Sequence, residues 1–360
     1  MKKRKVALFD PYLDVLGGGE KHILSILQAL EDEFEIHIFW SKNLQNEFKR
    51  QFSLMFSQKI VFHSKGFDAG TSTLERTLEL SQFDAFFYVT DGSYFFSPAK
   101  KNFIFCMVPE KKRYQMTLIN RVKTANAQFI TNSHFTGGYL EKLGIKNKVL
   151  YPYIDDSFFK KDKTKKEDVI LSVGRYFRHL HKKNFEVVIE AYQKLKKKSP
   201  KFKDTQLIFA GGLKKEEESY LDEVRKLAAE DPAIKILTNV SFANLLDLYA
   251  KAKYYWHFTG YGIDEEVEPE KTEHLGITPL EAMAAGCITF CFNAGGPKEL
   301  IANGENGYLF STIDELTDQI LDVSNNPAKE KLIQANTRKY MKKTFSYKVF
   351  ETNVHQTLNI

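Results

Sequence analysis

The sequence predicts two doubly wound α/β domains in tandem, each a parallel sheet covered by helices on both faces. Three observations carry that expectation. Short apolar runs of strand length alternate with helix-length amphipathic segments along the chain. The alternation breaks in a polar, lysine-rich stretch over residues 160–167 and then starts afresh. The 360 residues are many for one core and comfortable for two.

In the first series, residues 6–9, 36–40, 59–62, 85–89, 103–106 and 128–130 have the apolar, β-branched and aromatic content of strands. Helical patterns over 20–30 and 111–124 lie between them. A short strand at 149–151 ends the series. Tyr151-Pro152-Tyr153-Ile154-Asp155 then interrupts the pattern, so the first domain is expected to span 1–155. The second domain, 156–344, has strands at 169–173, 207–210, 234–237, 254–258 and 288–292. Helices at 185–198, 216–229, 242–250 and 279–285 separate them. Gly304 and Gly307 mark a turn before residues 308–310. Residues 345–360 form a last helix apolar enough to dock. Two such domains place ligands at the strand C-termini, facing each other across a cleft.

Composition narrows the classes. An apolar content of 43% belongs to a globular protein, and no apolar run approaches the ~20 residues of a membrane span. The start, MKKRKVALFD, reads as a first strand rather than a leader, because its apolar run is short and no small-residue cleavage site follows. Cys106, Cys287 and Cys291 are too few and too scattered for a disulfide framework, which fits a reducing cytoplasm. The net charge of +6 collects in local groups at residues 2–5, 100–101, 111–113, 160–166 and 196–198. No nucleic-acid motif accompanies them, so nucleic acid is not an expected partner. An anionic membrane surface is, with the protein cytoplasmic and peripheral at the inner face.

The chain is organised around Glu273-His274-Leu275-Gly276-Ile277-Thr278-Pro279-Leu280-Glu281, followed by AMAAG. Gly276 loosens the backbone before a helix start. Thr278 as N-cap, Pro279 at the first position and Glu281 at the third read as a capping box. The unpaired amides of such a first turn favour an anion. Glu281 has a capping duty in this reading; Glu273, ahead of the helix, has none.

Other loops carry cations and glycines. The first strand runs into a loop with Gly17-Gly18-Gly19-Glu20, where backbone amides can approach an anion closely. It is neither GxGxxG nor a P-loop, and the second strand runs into Trp40-Ser41-Lys42 without the acid a dinucleotide needs. The second domain opens with Gly174-Arg175, and Lys182-Lys183-Asn184 precede its first helix. An arginine fork and a mobile lysine suit a diphosphate. His179 and His181 lack a carboxylate or Cys at ligand spacing, and no D-x-D pair occurs, so no metal is expected.

Glu273 and Glu281 at that spacing, with Gly276 and EAMAAG, resemble the signature of the GT-B retaining glycosyltransferases of family 4. The match covers nearly the whole chain and is strongest from 169 to 309. Gly-Gly-Gly-Glu-Lys resembles the branch that elongates lipid-linked oligosaccharides. The resemblance implies a metal-independent hexosyl transfer with retention, mannose favoured, from a nucleotide-diphosphate sugar (GDP-mannose or a UDP-sugar) to a glycan or lipid-linked acceptor. It needs no cofactor. Glu273 would lie by the sugar, Glu281 would bond the ribose, and Arg175 and Lys183 would neutralise the leaving diphosphate. Lys183 is preferred to Lys182 because Asn184 opens the helix after it. The remaining donor-binding set is Gly18, Gly19, Gly174, Asn239, Val240, Gly276, Ile277 and Thr278. The 345–360 helix would cross back to the first domain.

The family often carries a His after the strand at 103–106. Here the chain reads Cys106-Met107-Val108-Pro109-Glu110, leaving Asp91 and His134 as candidates for that place. An epimerase of the same fold, a glycan phosphorylase and a non-catalytic sugar-nucleotide-binding protein remain the rival readings.

Overall fold

The computed structural model describes residues 3–161, 164–178 and 182–360. The chain divides into two compact units, Met1–Pro152 with Phe350–Ile360, and Tyr153–Val349.

The first unit holds seven strands: β1 (Arg4–Phe9), β2 (Phe34–Phe39), β3 (Val61–His63), β4 (Ala85–Val89), β5 (Lys101–Cys106), β6 (Ala127–Thr131) and β7 (Asn147–Val149). They form one sheet in the order β3-β2-β1-β4-β5-β6-β7, and every pairing is parallel. Parallel strands are covered on both faces, so their sequences run apolar without alternation. Val6, Ala7 and Leu8 are all fully buried, as is the whole of β4. The helices are α1 (Gly18–Ala29), α2 (Gln45–Phe52), α3 (Thr73–Leu80), α4 (Leu118–Lys123) and α5 (His134–Lys142).

The second unit repeats the plan with β8 (Glu167–Val173), β9 (Gln206–Gly211), β10 (Ile234–Thr238), β11 (Ala252–His257), β12 (Ile288–Phe292) and β13 (Tyr308–Phe310). The order is β10-β9-β8-β11-β12-β13, again all parallel. Its helices are α6 (Asp156–Lys160), α7 (Phe185–Lys198), α8 (Glu218–Ala228), α9 (Phe242–Lys251), α10 (Ile277–Ala284), α11 (Pro297–Leu300), α12 (Ile313–Asn325) and α13 (Pro327–Phe345). Phe185, Tyr192, Phe209, Trp256, Phe258 and Phe290 are among the buried side chains of its core. In each sheet the strand order reverses once, between β1 and β4 and between β8 and β11. Crevices at the carboxyl ends of strands open at such reversals.

Two expected helices differ. The pattern over 111–124 is two elements, a 3-10 turn (Lys111–Tyr114) and α4, because Tyr114 turns inward and is buried. Gly18 and Gly19, read as loop glycines, lie in the first turn of α1. Gly17 is its N-cap, and the Glu20 carboxylate accepts the Gly17 N–H at 2.6 Å. Beyond α13, α14 (Tyr347–Leu358) continues the chain, and its residues from Phe350 belong to the first unit. There the Thr357 carbonyl accepts bonds from Lys148 Nζ at 2.9 Å and Gln128 Nε2 at 3.1 Å.

Candidate functional site

The second unit builds its site at the strand reversal between β8 and β11. Gly174 and Arg175 follow β8 directly. The loop after β9 closes on them: Gly174 N–H donates to Ala210 O at 3.0 Å, and Tyr176 N–H to Gly212 O at 2.9 Å. The approach is so close that a Cβ on Gly211 would lie 1.7 Å from the Gly174 carbonyl oxygen. Asn239, after β10, adopts a left-handed conformation with φ of 51°. Its N–H donates to Gly211 O at 2.8 Å, and its Oδ1 accepts from Leu213 N–H at 2.9 Å. Three loops thus form one laced platform. The Asn239 side chain is spent within it, leaving Val240 half-buried beside it. Ser241 caps α9, its Oγ accepting Asn244 N–H at 3.2 Å.

Lys183 crosses this platform. A Cβ on Gly174 would come within 2.4 Å of Lys183 Cγ, so the missing side chain is what lets the lysine stem pass. Lys183 Nζ ends 2.8 Å from Glu273 Oε2. The same oxygen accepts His257 Nε2–H at 2.8 Å, from the end of β11. Lys183 and Glu273 side chains are only 14% and 15% exposed, and that of His257 is 1% exposed. Burial lowers the pKa of His257, and the Lys183 charge lowers it further, against the opposing pull of Glu273. The ring is therefore a neutral donor at physiological pH. Cys291 of β12 lies close by; burial first, then the Glu273 charge, raises its thiol pKa. All three cysteines are free and buried.

Lys182 turns away and pairs with Glu186 on α7. Arg175 is exposed, with its guanidinium 5.6 Å from the Phe177 ring. It makes no ion pair with a described residue, so its charge faces outward near Gly212. The structure therefore brings Lys183 and Glu273 together and leaves Arg175 outside their contact. His179 and His181 lie outside the described residues. Among the described residues no three His, Cys, Asp or Glu side chains are grouped to hold a metal ion.

The helix after Glu273 starts earlier than a Thr-Pro-Leu-Glu capping box requires. Gly276, at φ of 105°, is the N-cap, so Ile277 and Thr278 supply the first amides and Pro279 sits third. Glu281 does not cap this helix. Its Oε2 accepts the Tyr249 hydroxyl at 3.0 Å, from α9. The reason lies outside the local sequence. Gly296 N–H donates to the Glu273 carbonyl at 2.7 Å, and Gly295 N–H to Glu265 Oε2 at 2.6 Å. The Gly295-Gly296 pair after β12 thus presses on the chain at residues 273–275 and sets where the helix begins.

That contact leaves no room for a side chain. A Cβ on Gly296 would lie 2.4 Å from Leu275 Cα and 2.6 Å from His274 O, both backbone atoms. Gly296→Ala is expected to destabilise the unit by about 1–3 kcal/mol, the usual range for overpacking. Its midpoint should fall by roughly 2–4 °C per kcal/mol in a unit of this size. An unchanged melting temperature by differential scanning calorimetry would show that the loop yields freely.

The first unit carries its own candidates. Gly19 packs against Met107: a Cβ there would be 2.3 Å from Met107 Sδ. The residue after β5, where the family resemblance expects a His, is thus a methionine lying on Gly19. Asp91 spends Oδ1 on Ser93 N–H at 2.9 Å, and His134 opens α5 with its ring 5.9 Å from that of Tyr151. Asp10, at the end of β1, was not singled out by the sequence. It is fully buried, and burial, then the Glu20 charge, pushes its carboxyl up to about 7.

The family profile for glycosyl transferases group 1 matches residues 154–340. An alpha-1,3/1,6-mannosyltransferase of Dictyostelium discoideum is 28% identical over 263 residues, 63% of this chain and 60% of that protein. The chain thus spans less than two thirds of that relative. The GDP-Man:Man(3)GlcNAc(2)-PP-Dol alpha-1,2-mannosyltransferase of Xenopus tropicalis is 24% identical, over 98% of this chain and 86% of its own length. Among solved structures, Anabaena HepE in complex with UDP and glucose superposes with a TM-score of 0.70 at 17% identity. That match covers 99% of this chain and 100% of the other, and the likeness is one of fold.

Proposed function

The chain belongs to the glycosyl transferases of group 1, and from that premise we propose that it transfers a hexose, mannose by preference, from a nucleotide-diphosphate sugar to a glycan or lipid-linked acceptor. The observation that carries the reading is the convergence of Lys183 and His257 on one oxygen of Glu273 at the strand reversal. The names of the relatives, both mannosyltransferases, favour mannose.

The residues divide the work by charge. Lys183 and the exposed Arg175 meet the departing diphosphate, together with the first amides of α10 at Ile277 and Thr278. We propose that these groups do so without a metal. Glu273 is held in place by two donors, so its charge needs no reorganisation when positive charge develops on the sugar. Glu281, held by the Tyr249 hydroxyl, accepts a ribose hydroxyl in this reading. The acceptor attacks on the face the diphosphate leaves, with retention of configuration.

A thermal-shift panel of GDP, UDP, ADP and their sugars tests the donor. A true donor at about 100 times its dissociation constant adds about 2.7 kcal/mol of stability. Product analysis with and without an acceptor follows with the best ligand. A new glycosidic bond formed only with acceptor is expected. No shift with any nucleotide, or conversion of the donor sugar without acceptor, would contradict the reading.

A further inference from the structure

In residues 111–123 of the first unit, Tyr114 is buried and Arg113 pairs with Glu110, but the apolar side chains of α4 and most of the cations beside them are exposed. No residue of α4 is buried. Leu118, Ile119 and Val122 are 84%, 67% and 73% exposed. At about 100° per residue they share one arc of the helix, with Arg121 on one flank and Lys123 on the other. Large apolar side chains grouped in this way in water mark an interaction surface.

The cations around them have no acidic partner among the described residues, although Arg121 Nε donates to the Met116 carbonyl at 3.2 Å. Lys111, Lys112, Arg121 and Lys123 make no ion pair with a described residue, and no Asp or Glu occurs between positions 111 and 126. Several basic groups elsewhere are satisfied. Lys3 Nζ bonds the Glu31 carbonyl at 2.7 Å, Arg4 pairs with Glu33, Lys100 with Asp84 and Lys196 with Asp231. The segment is nonetheless held in shape. Tyr114, buried, donates its hydroxyl to Val108 O at 2.7 Å. Thr117 Oγ1 accepts Asn120 N–H at 3.2 Å, and Thr124 Oγ1 donates to Asn120 O at 2.8 Å.

The surface extends beyond α4. The β3–β4 and β5–β6 crossovers move the same way across a parallel sheet, so right-handed connections put α3 and α4 on one face. Leu74 and Leu78 of α3 and Phe96 of the β4–β5 loop are also exposed. Arg76 of α3 lies 5.7 Å from the Phe95 ring, and Phe95 and Lys123 line one small cavity.

We propose that α4 and the turn before it dock this unit on an anionic lipid bilayer. Leu118, Ile119 and Val122 enter the headgroup region, and Lys111, Lys112, Arg121 and Lys123 bind the anionic headgroups. An apolar arc flanked by cations, with the adjoining Glu110 already paired to Arg113, is complementary to an anionic surface. The inference rests on the reading that the acceptor is lipid-linked, since such an acceptor lies in a bilayer.

Flotation of the full chain tests it, with vesicles of phosphatidylcholine alone and of equimolar phosphatidylcholine and phosphatidylserine. Wild type is expected to float with the mixed vesicles only. Lys111→Gln/Lys112→Gln should lower partitioning about fivefold per charge. Leu118→Ser/Ile119→Ser/Val122→Ser should weaken flotation with the mixed vesicles as well, and high salt, which screens the charges, should release the wild type. Both variants should melt as wild type, because the side chains are exposed. Equal recovery with both vesicle types, or variants that float like wild type, would overturn the proposal. So would a dimer in sedimentation that the serine variant dissolves. Calorimetry with the nucleotide sugars on the same preparations separates the two readings. Vesicle capture without donor binding sinks the glycosyltransferase reading alone. Donor binding without capture sinks the docking surface alone.

Discussion

Replacing Lys183 by alanine is expected to slow sugar transfer by about 10²–10³-fold, the loss typical of removing one preorganised electrostatic group from a site. The expectation follows from how the lysine is held. Its stem passes over Gly174 with no space to spare, and its ammonium is 2.8 Å from Glu273 with little solvent contact. A charge so placed is fixed before the diphosphate departs. Lys182 provides the control. It sits one residue earlier, is paired with Glu186, and its alanine variant should transfer at close to the wild-type rate. Steady-state rates at saturating donor separate the two. A Lys183→Ala variant within about tenfold of wild type would take Lys183 out of the site.

Glu273→Gln is expected to lower turnover by roughly 10²-fold while leaving donor affinity unchanged or slightly tighter. Glutamine keeps an oxygen for Lys183 and His257 but loses the charge. The positive charge that develops on the sugar then lacks its counter-ion in the transition state only. The ground state gains, because Lys183 no longer divides itself between Glu273 and the diphosphate. Glu273 has no capping duty, so the fold should be retained. Calorimetric affinity and turnover together test the split. A variant that binds donor much more weakly but turns over normally would make Glu273 a binding group rather than a participant in transfer.

Much of the fold was legible because parallel strands are continuous apolar runs. Ala85–Val89 and Ile288–Phe292 have the bounds their composition suggests. The structure sets Lys183 against Glu273 and pairs Lys182 with Glu186 on α7. What was hidden depended on distant contacts. Nothing in Thr-Pro-Leu-Glu shows that Gly295 and Gly296 press on residues 273–275, so the helix start was read two positions late and Glu281 was given a capping role. His257 looked like one more residue of an aromatic strand. Its partner is 16 positions away across a long loop. The glycine doublet 211–212 after an apolar strand was a usable signal for the platform. The 111–124 helix was misjudged because periodicity cannot tell an apolar face that packs from one that stays in water. Tyr114 packs; Leu118, Ile119 and Val122 do not.

The central claim is that Lys183 and Glu273, joined through one carboxylate oxygen, work as a single unit in sugar transfer. A double-mutant cycle on the transfer rate tests it most directly, with wild type, Lys183→Ala, Glu273→Gln and the double variant all measured at saturating donor. Groups that act together lose their contributions together. The double variant is therefore expected to transfer at about the rate of the slower single variant. Losses that multiply would show two independent residues, and wild-type transfer by either single variant would contradict the site itself.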